Sequence, residues 1–273
     1  MARAEVYDLT LASADYPDWT GPPRRCLVLC TQQRSGSTLL GEALTFARGL
    51  GCPLEYFHEG FRPAFQARWQ ASELDGYVAN LWRRRTDPSG VLSIKLFWRD
   101  LVALAEEIAP DNVADEDRMR PAATPADFYR GLFAHIAPRL PHAEFLFLHR
   151  RDTVRQAISN YAAWRTGGWR RLSARDAPPP PYDFDAILGL HRRILRSNAH
   201  WRNFFAANAL VPHEIVYEDM EQDYQAAIRR LLDALGRADA PVVPPRLHKQ
   251  GDDAAIAALT ERFLRDFHAR GVP

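Results

Sequence analysis

CLVLCTQQRSGSTLLGEALTFA, residues 26–47, reads as a strand, a tight polar loop and a helix in immediate succession. Cys26 to Cys30 is a short apolar run of the buried-strand type, and Leu39 to Ala47 sets its apolar residues at helical spacing. Between them stand Gln33, Arg34, Ser35, Gly36, Ser37 and Thr38. At such a junction the N–H groups of the loop and of the first helical turn converge on one point, and a glycine lets the chain come close to an oxyanion. Ser37 and Thr38 add hydroxyl donors and Arg34 a fixed cation. The lysine of a GxxxxGK[ST] loop is missing, which counts against ATP. A bare SGST tetrapeptide is also a serine-rich turn that caps a helix. Its position straight after a strand and before an apolar helix is what favours an anion site.

Working outward, Val91 to Leu96 (VLSIKL), Ala143 to Leu148 (AEFLFL) and His213 to Tyr217 (HEIVY) are further strand candidates. Helical patterns cover Arg99 to Ile108, Asp152 to Trp164 with Asp152 as N-cap, Phe184 to Leu210 as one long or broken helix, Tyr224 to Leu235, and Ala254 to Ala269. The charged patch Asp111 to Arg120 and the proline run Pro178 to Pro181 read as loops. Strands alternating with helices predict an α/β fold, a mainly parallel sheet covered by helices on both faces. The expectation is one domain over 1–273, with 1–23 as an N-terminal extension. Ligands of such sheets sit beyond the carboxyl ends of the strands.

The 273 residues are 47% hydrophobic and 25% charged, an ordinary globular balance. A formal net charge of +1 gives no global field for nucleic acid or an anionic membrane, so any anion site must be local. Cys26, Cys30 and Cys52 have no metal-ligand spacing, and three is an odd number for a disulfide framework, so a reducing compartment is expected. The first residues lack the apolar stretch of a signal peptide, and no run approaches the ~18 apolar residues of a membrane span. The expected location is the cytoplasm.

A second constellation follows the third strand: His149, Arg150, Arg151 and Asp152, then Gln156, Ala157 and Ser159 on the next helix. Two arginines at a strand mouth, with a serine two turns on, suit a second phosphate. Alone, the same residues are an ordinary solvated charge cluster. Together with the first loop they suggest a ligand with two separate anionic groups.

At this point the chain resembles the bacterial carbohydrate sulfotransferases. The residues that carry the likeness are QRSGSTLL (33–40), CPLEYF (52–57), IKLFW (94–98), HRRDTVRQAIS (149–159) with Trp169 beyond it, and Lys249-Gln250 before the last helix. The resemblance implies a P-loop-like sulfotransferase fold and 3'-phosphoadenosine-5'-phosphosulfate as sulfuryl donor, with no metal required. It assigns Arg34, Ser35, Gly36, Ser37 and Thr38 to the 5'-phosphosulfate, and Arg150 with Ser159 to the 3'-phosphate. Arg151 stands at an alternative register to Ser159. Lys249 and Gln250 resemble the basic segment that closes over the donor, and the family's dimers imply a possible homodimer.

Sulfuryl transfer is an in-line displacement that needs a base for the acceptor hydroxyl and positive or N–H donors at the leaving phosphate. No histidine follows Lys95 closely, since the segment reads Lys95-Leu96-Phe97. The resemblance points instead to Glu55 as base, a carboxylate set among Pro53, Leu54, Tyr56 and Phe57, with Glu59 as its rival. Lys95, at a strand end, suits the bridging oxygen, or is a snorkelling edge lysine. Tyr56-Phe57-His58, Trp98 and Tyr161 to Trp169 offer stacking faces for a sugar, though base rates put most of them in the core. Acceptor choice is expected to lie in loops at residues 57–90 and 110–125. The other function class is a P-loop-like kinase or a nucleotide-binding protein.

Overall fold

A computed structural model of the chain describes residues 8–110, 120–167, 180–246 and 253–271. Four strands, β1 (Arg25–Thr31), β2 (Val91–Phe97), β3 (Ala143–His149) and β4 (His213–Val216), form one sheet in the order β2-β1-β3-β4. Every pair is parallel: Thr31 stands beside Phe97, Cys30 beside Phe147, and Leu146 beside His213. From β1 the chain goes to β2 on one side and then crosses to β3 on the other. The carboxyl ends of β1 and β3 therefore flank the crevice where such sheets take ligands.

The alternation of β1 explains why both sheet faces are covered. Cys26, Val28 and Cys30 point into one core with Phe145 and Phe147 of β3. The helices over that face are α2 (Arg62–Trp69), α3 (Leu74–Arg85), α4 (Trp98–Ile108), α5 (Ala126–Ile136) and the second half of α7 (Phe184–Ala207). Leu27 and Leu29 point the other way, with Leu146 and Leu148, onto α1 (Ser37–Ala47), α8 (Tyr217–Gln222) and α9 (Tyr224–Ala234). Period-two alternation with apolar residues at both parities is what a strand buried on both faces requires. A third cluster joins α6 (Thr153–Thr166) and the start of α7 to α10 (Asp253–Ala269) through Ile158, Tyr161, Phe184, Ile187 and Phe263.

The expected strands stand within a residue or two of their observed bounds, with one change of type at an end. Tyr217 opens α8 rather than closing β4, because its ring is needed beneath the loop after β1, as described below. Asp152 caps α6 by accepting from the Arg155 N–H at 2.8 Å, and α7 runs unbroken. Residues 57–90 are not loop, since they hold α2 and α3. Arginine density hid the pattern: α3 buries Tyr77, Val78 and Leu81, yet ends on Arg83, Arg84 and Arg85. Helix α5 was likewise not foreseen. The charged patch lies outside the described residues except for Arg120, and the proline run except for Pro180 and Pro181.

The segment before β1 is tied to α3 rather than trailing. The Tyr16 and Trp19 N–H groups donate to the Arg84 and Arg83 carbonyls at 2.9 and 2.8 Å. Asp15 pairs with Arg68 at 2.8 Å and with the wholly buried Arg85 at 3.0 Å. Among the described residues no helix is long and apolar enough to cross a membrane.

The packing of α7 on the sheet is the largest aromatic cluster, with Phe204 touching the rings of Trp98, Phe133, Phe145, Trp201 and Phe205. Phe204→Ala is expected to cost about 3–5 kcal/mol in urea unfolding. Val211→Ala, at a side chain that is 93% exposed, should change stability by less than about 0.5 kcal/mol.

Candidate active site

The loop after β1 is held from beneath. Thr31 Oγ1 lies 2.6 Å from Ser35 Oγ and donates to the Leu148 carbonyl of β3 at 2.8 Å. Ser35 is therefore fully buried, and its hydroxyl is turned into the sheet. What Ser35 can offer an anion is its backbone N–H. Two residues turn the loop through left-handed backbone, Arg34 at φ 63° and Gly36 at φ 90°. At Gly36 a side chain has no room either, because a Cβ would stand 2.4 Å from the Tyr217 ring. The turn directs the start of α1, with Ser37 and Thr38, toward the open end of the sheet.

The second constellation closes on the same loop. Arg34 Nε donates to Ser159 Oγ at 3.1 Å, and Arg150 Nη1 donates to the Arg34 carbonyl at 3.2 Å. Gln156 Nε2 donates to the Gln33 carbonyl at 2.8 Å. Arg150 is buried, lies over the Tyr217 ring at 4.0 Å, and keeps its Nε without a hydrogen-bond partner among the described residues. The nearest carboxylate oxygen to that Nε is Glu218 Oε1 at 3.7 Å. Desolvation first, and then repulsion from Arg150, pull the Arg34 guanidinium down to about 10. It remains a cation at neutral pH. A buried and a half-buried guanidinium brought together in this way favour an anion between or beside them.

Arg151 does not share this site. It faces solvent and forks onto Asp219 at 2.8 and 3.2 Å. Glu218 fixes the turn between them by accepting from the N–H groups of Arg151 and Asp152 at 3.0 and 3.3 Å. Burial pushes the Glu218 carboxyl up, but these N–H donors and Arg150 outweigh it and hold it below its ordinary value.

The carboxylate and lysine that the sequence separates by forty positions are brought together by one short bridge. Leu54 lies parallel to Ile94 of β2, and the Lys95 N–H donates to the Leu54 carbonyl at 2.8 Å. Glu55 is thereby set beside Lys95, with Oε1 3.0 Å from Nζ. Of the neighbours of Glu55, Pro53 and Leu54 line the same cavity as its carboxylate, and the aromatic pair does not. Tyr56 and Phe57 turn into the core, and the Tyr56 hydroxyl donates to the Cys52 carbonyl at 2.9 Å. Glu59 points elsewhere: it is 77% exposed, pairs with Arg99 at 3.0 Å, and lines a separate cavity of about 490 Å³.

A cavity of about 550 Å³ joins the two halves. Gln33, Arg34, Ser37 and Thr38 line it together with Glu55, His58 and Lys95. His58, which the sequence offers as a stacking face three residues from Glu55, lines this cavity as well. Desolvation lowers its pKa, against the pull of Glu55 and with the help of Arg99, so the ring is held neutral near pH 7. Asp8, Leu9 and Thr10 also reach this cavity. Trp98 and Tyr161 are core side chains, whereas Trp164 is exposed. Trp169, Lys249 and Gln250 lie outside the described residues. Among the described residues no group of three His, Cys, Asp or Glu side chains is placed to hold a metal ion.

Residues 26–266 match the family model of the Stf0 sulphotransferases. The trehalose 2-sulfotransferase of Mycobacterium tuberculosis is 28% identical over 276 residues, which covers 92% of this chain and 98% of that protein. The trehalose 2-sulfotransferase of Mycolicibacterium smegmatis is 27% identical over 266 residues, with the same coverage of both chains. Among solved structures, a sulfotransferase domain from the curacin biosynthetic pathway aligns at 17% identity and a TM-score of 0.44, covering 85% of this chain and 80% of its own. A sulfotransferase domain from the Synechococcus PCC 7002 olefin synthase aligns at 17% identity and a TM-score of 0.39, covering 91% and 90%.

The crowding at Gly36 can be tested without any ligand. Gly36→Ala combines a left-handed φ with contact against Tyr217 and should lower stability in urea unfolding by about 1–3 kcal/mol. Gly131→Ala, in mid-helix α5 with open space around it, should instead gain about 0.5–1 kcal/mol.

Proposed function

The chain belongs to the Stf0 sulphotransferase family, and from that premise we propose that it takes the sulfuryl group of 3'-phosphoadenosine-5'-phosphosulfate and places it on a hydroxyl of a carbohydrate or glycolipid. The observation that carries the reading is that one cavity is lined both by Arg34, Ser37 and Thr38 and by the Glu55–Lys95 pair. A candidate anion cradle and a candidate base thus share a space sized for a small ligand.

The donor, when bound, supplies an electrophilic sulfur and a phosphate as leaving group. The N–H groups at the start of α1, with the Ser37 and Thr38 hydroxyls and the Arg34 guanidinium, would hold the phosphosulfate end. Arg150, whose buried Nε lacks a hydrogen-bond partner among the described residues, would hold the 3'-phosphate with Ser159. Arg150 is preferred to Arg151 because Arg151 is exposed and paired with Asp219. Lys249 and Gln250 are proposed to close over the donor on the resemblance alone.

Glu55 is proposed to accept the proton of the acceptor hydroxyl as oxygen bonds to sulfur. Lys95, 3.0 Å away, would orient that carboxylate and present a cation toward the breaking sulfur–oxygen bond. His58 offers a neutral imidazole in the same cavity. Catalysis here would rest on positioned charge, with no metal in the role. A kinase or other nucleotide-binding protein of the P-loop type would need a lysine before the Ser-Thr pair, and that position is Gly36. The proposal extends to a reducing, cytoplasmic setting, read from three buried free cysteines, and to a homodimer carried by the resemblance.

Calorimetry with 3',5'-ADP in metal-free buffer tests the donor half. Arg34→Ala should weaken binding by about a hundredfold, as loss of a charge-assisted contact in a desolvated site does. Arg150→Ala with Ser159→Ala should weaken 3',5'-ADP far more than 5'-AMP, which lacks the 3'-phosphate. Equal losses for both ligands would make that cluster purely structural.

Turnover tests the base. With labelled donor, trehalose and a bacterial glycolipid extract, and mass spectrometry for added sulfate, Glu55→Gln should keep 3',5'-ADP affinity and lose ~10²–10⁴ in rate. Glu59→Gln, facing the other cavity, should stay near the wild-type rate. The reverse pattern would transfer the role to Glu59.

A further inference from the structure

The lining of the main cavity includes Asp8, Leu9 and Thr10, which precede the span shared with the family. These residues are held by an anchored strap. Asp8 Oδ1 accepts from the Thr10 N–H and hydroxyl at 2.8 and 2.7 Å, which fixes the turn that presents Leu9. Arg68 Nη1 donates to the Thr10 carbonyl, and Arg85 Nη1 to the Ala14 carbonyl at 3.1 Å. The same two arginines grip Asp15, and the Arg85 guanidinium lies over the Tyr56 and Phe65 rings at 5.7 and 5.3 Å. A buried charge with this many partners sets position as much as stability. The strap's tip is therefore seated by the core beneath α2 and α3.

The lining of the cavity has two chemistries. Beside the charged Arg34, Glu55 and Lys95 stand Leu9, Pro53, Leu54, Phe61 and Phe97, which give the cavity an apolar wall. Phe61 is 40% exposed, and Leu9 is half-buried. Sugar hydroxyls pressed against such a wall would lose water without gaining hydrogen bonds. An alkyl or acyl group there would lose only unfavourable hydration.

We propose that Leu9 and Phe61 recognise an acceptor that carries an apolar group beside the sulfated hydroxyl, a glycoside with an alkyl or acyl substituent, and that Leu9 on the N-terminal strap is a specificity-determining residue. This deepens the proposed function and rests on it for the identity of the cavity as the acceptor site.

The test uses hexyl β-D-glucopyranoside and glucose as probes, titrated calorimetrically into the full chain without donor. The wild type should bind the hexyl glycoside at least about tenfold tighter than glucose, as burial of several methylenes implies. Leu9→Asn and, separately, Phe61→Asn should remove most of that difference while leaving affinity for glucose and for 3',5'-ADP in place. Both sites are partly exposed, so melting temperature serves to check that the variants remain folded. Equal affinity for the two probes in the wild type would overturn the proposal, as would a preference that survives both substitutions. Because the probes are read without donor, failure of 3',5'-ADP to bind the wild type would sink the donor reading alone and leave this result to stand or fall by itself.

Discussion

Thr31 Oγ1, hydrogen-bonded to Ser35 and to the Leu148 carbonyl, locks the loop after β1 between the two central strands. The constraint matters because the loop has no regular structure of its own. Its shape depends on two left-handed residues, Arg34 and Gly36, which persist only when their surroundings hold them. Three side chains of the second constellation supply the rest of the grip: Arg150 and Gln156 donate to loop carbonyls, and Ser159 accepts from Arg34. The anion cradle is thus preorganised by β3 and α6, at the point where the order of the sheet reverses.

A cost is built into that arrangement. Desolvation, and then the nearby Arg150, disfavour the charge of Arg34. Tyr217 offsets part of this by offering its ring to Arg150, and the same ring fills the space that any side chain at position 36 would need. The cradle, the glycine and the tyrosine that opens α8 therefore form one unit. Under the proposed function, a bound phosphate would relieve the remaining repulsion, so that part of the affinity is stored in the geometry before the ligand arrives.

The other half of the cavity is assembled by different means. Glu55 is placed by a single backbone bridge along the edge of β2, and its partner Lys95 by the parity of that strand. The wall at Leu9 is placed by arginines of α2 and α3 that reach back to the chain's first described residues. Elements distant in sequence thus converge on one space, which under the proposed function separates the task of holding an anion from that of choosing an acceptor.

The strand, loop and helix of residues 26–47 were legible because period-two and helical spacing are local properties, and so is the need for glycine in a tight turn. The same locality made Asp152 readable as a cap and made Arg34 and Ser159 candidates for one ligand. Tertiary packing alone decided what depends on direction and on distant partners. It turned the Ser35 hydroxyl inward, sent Arg151 to Asp219 and kept Arg150 at the loop, and it paired Glu55 with Lys95 while Glu59 faced another cavity. It also made helices of residues 62–69 and 74–85, whose arginines masked their apolar face until Asp15 and the Tyr56 and Phe65 rings were there to receive them. A sequence specifies which groups are available. Which of two adjacent, chemically identical side chains enters the site is set by burial and by the partners that the fold brings to each.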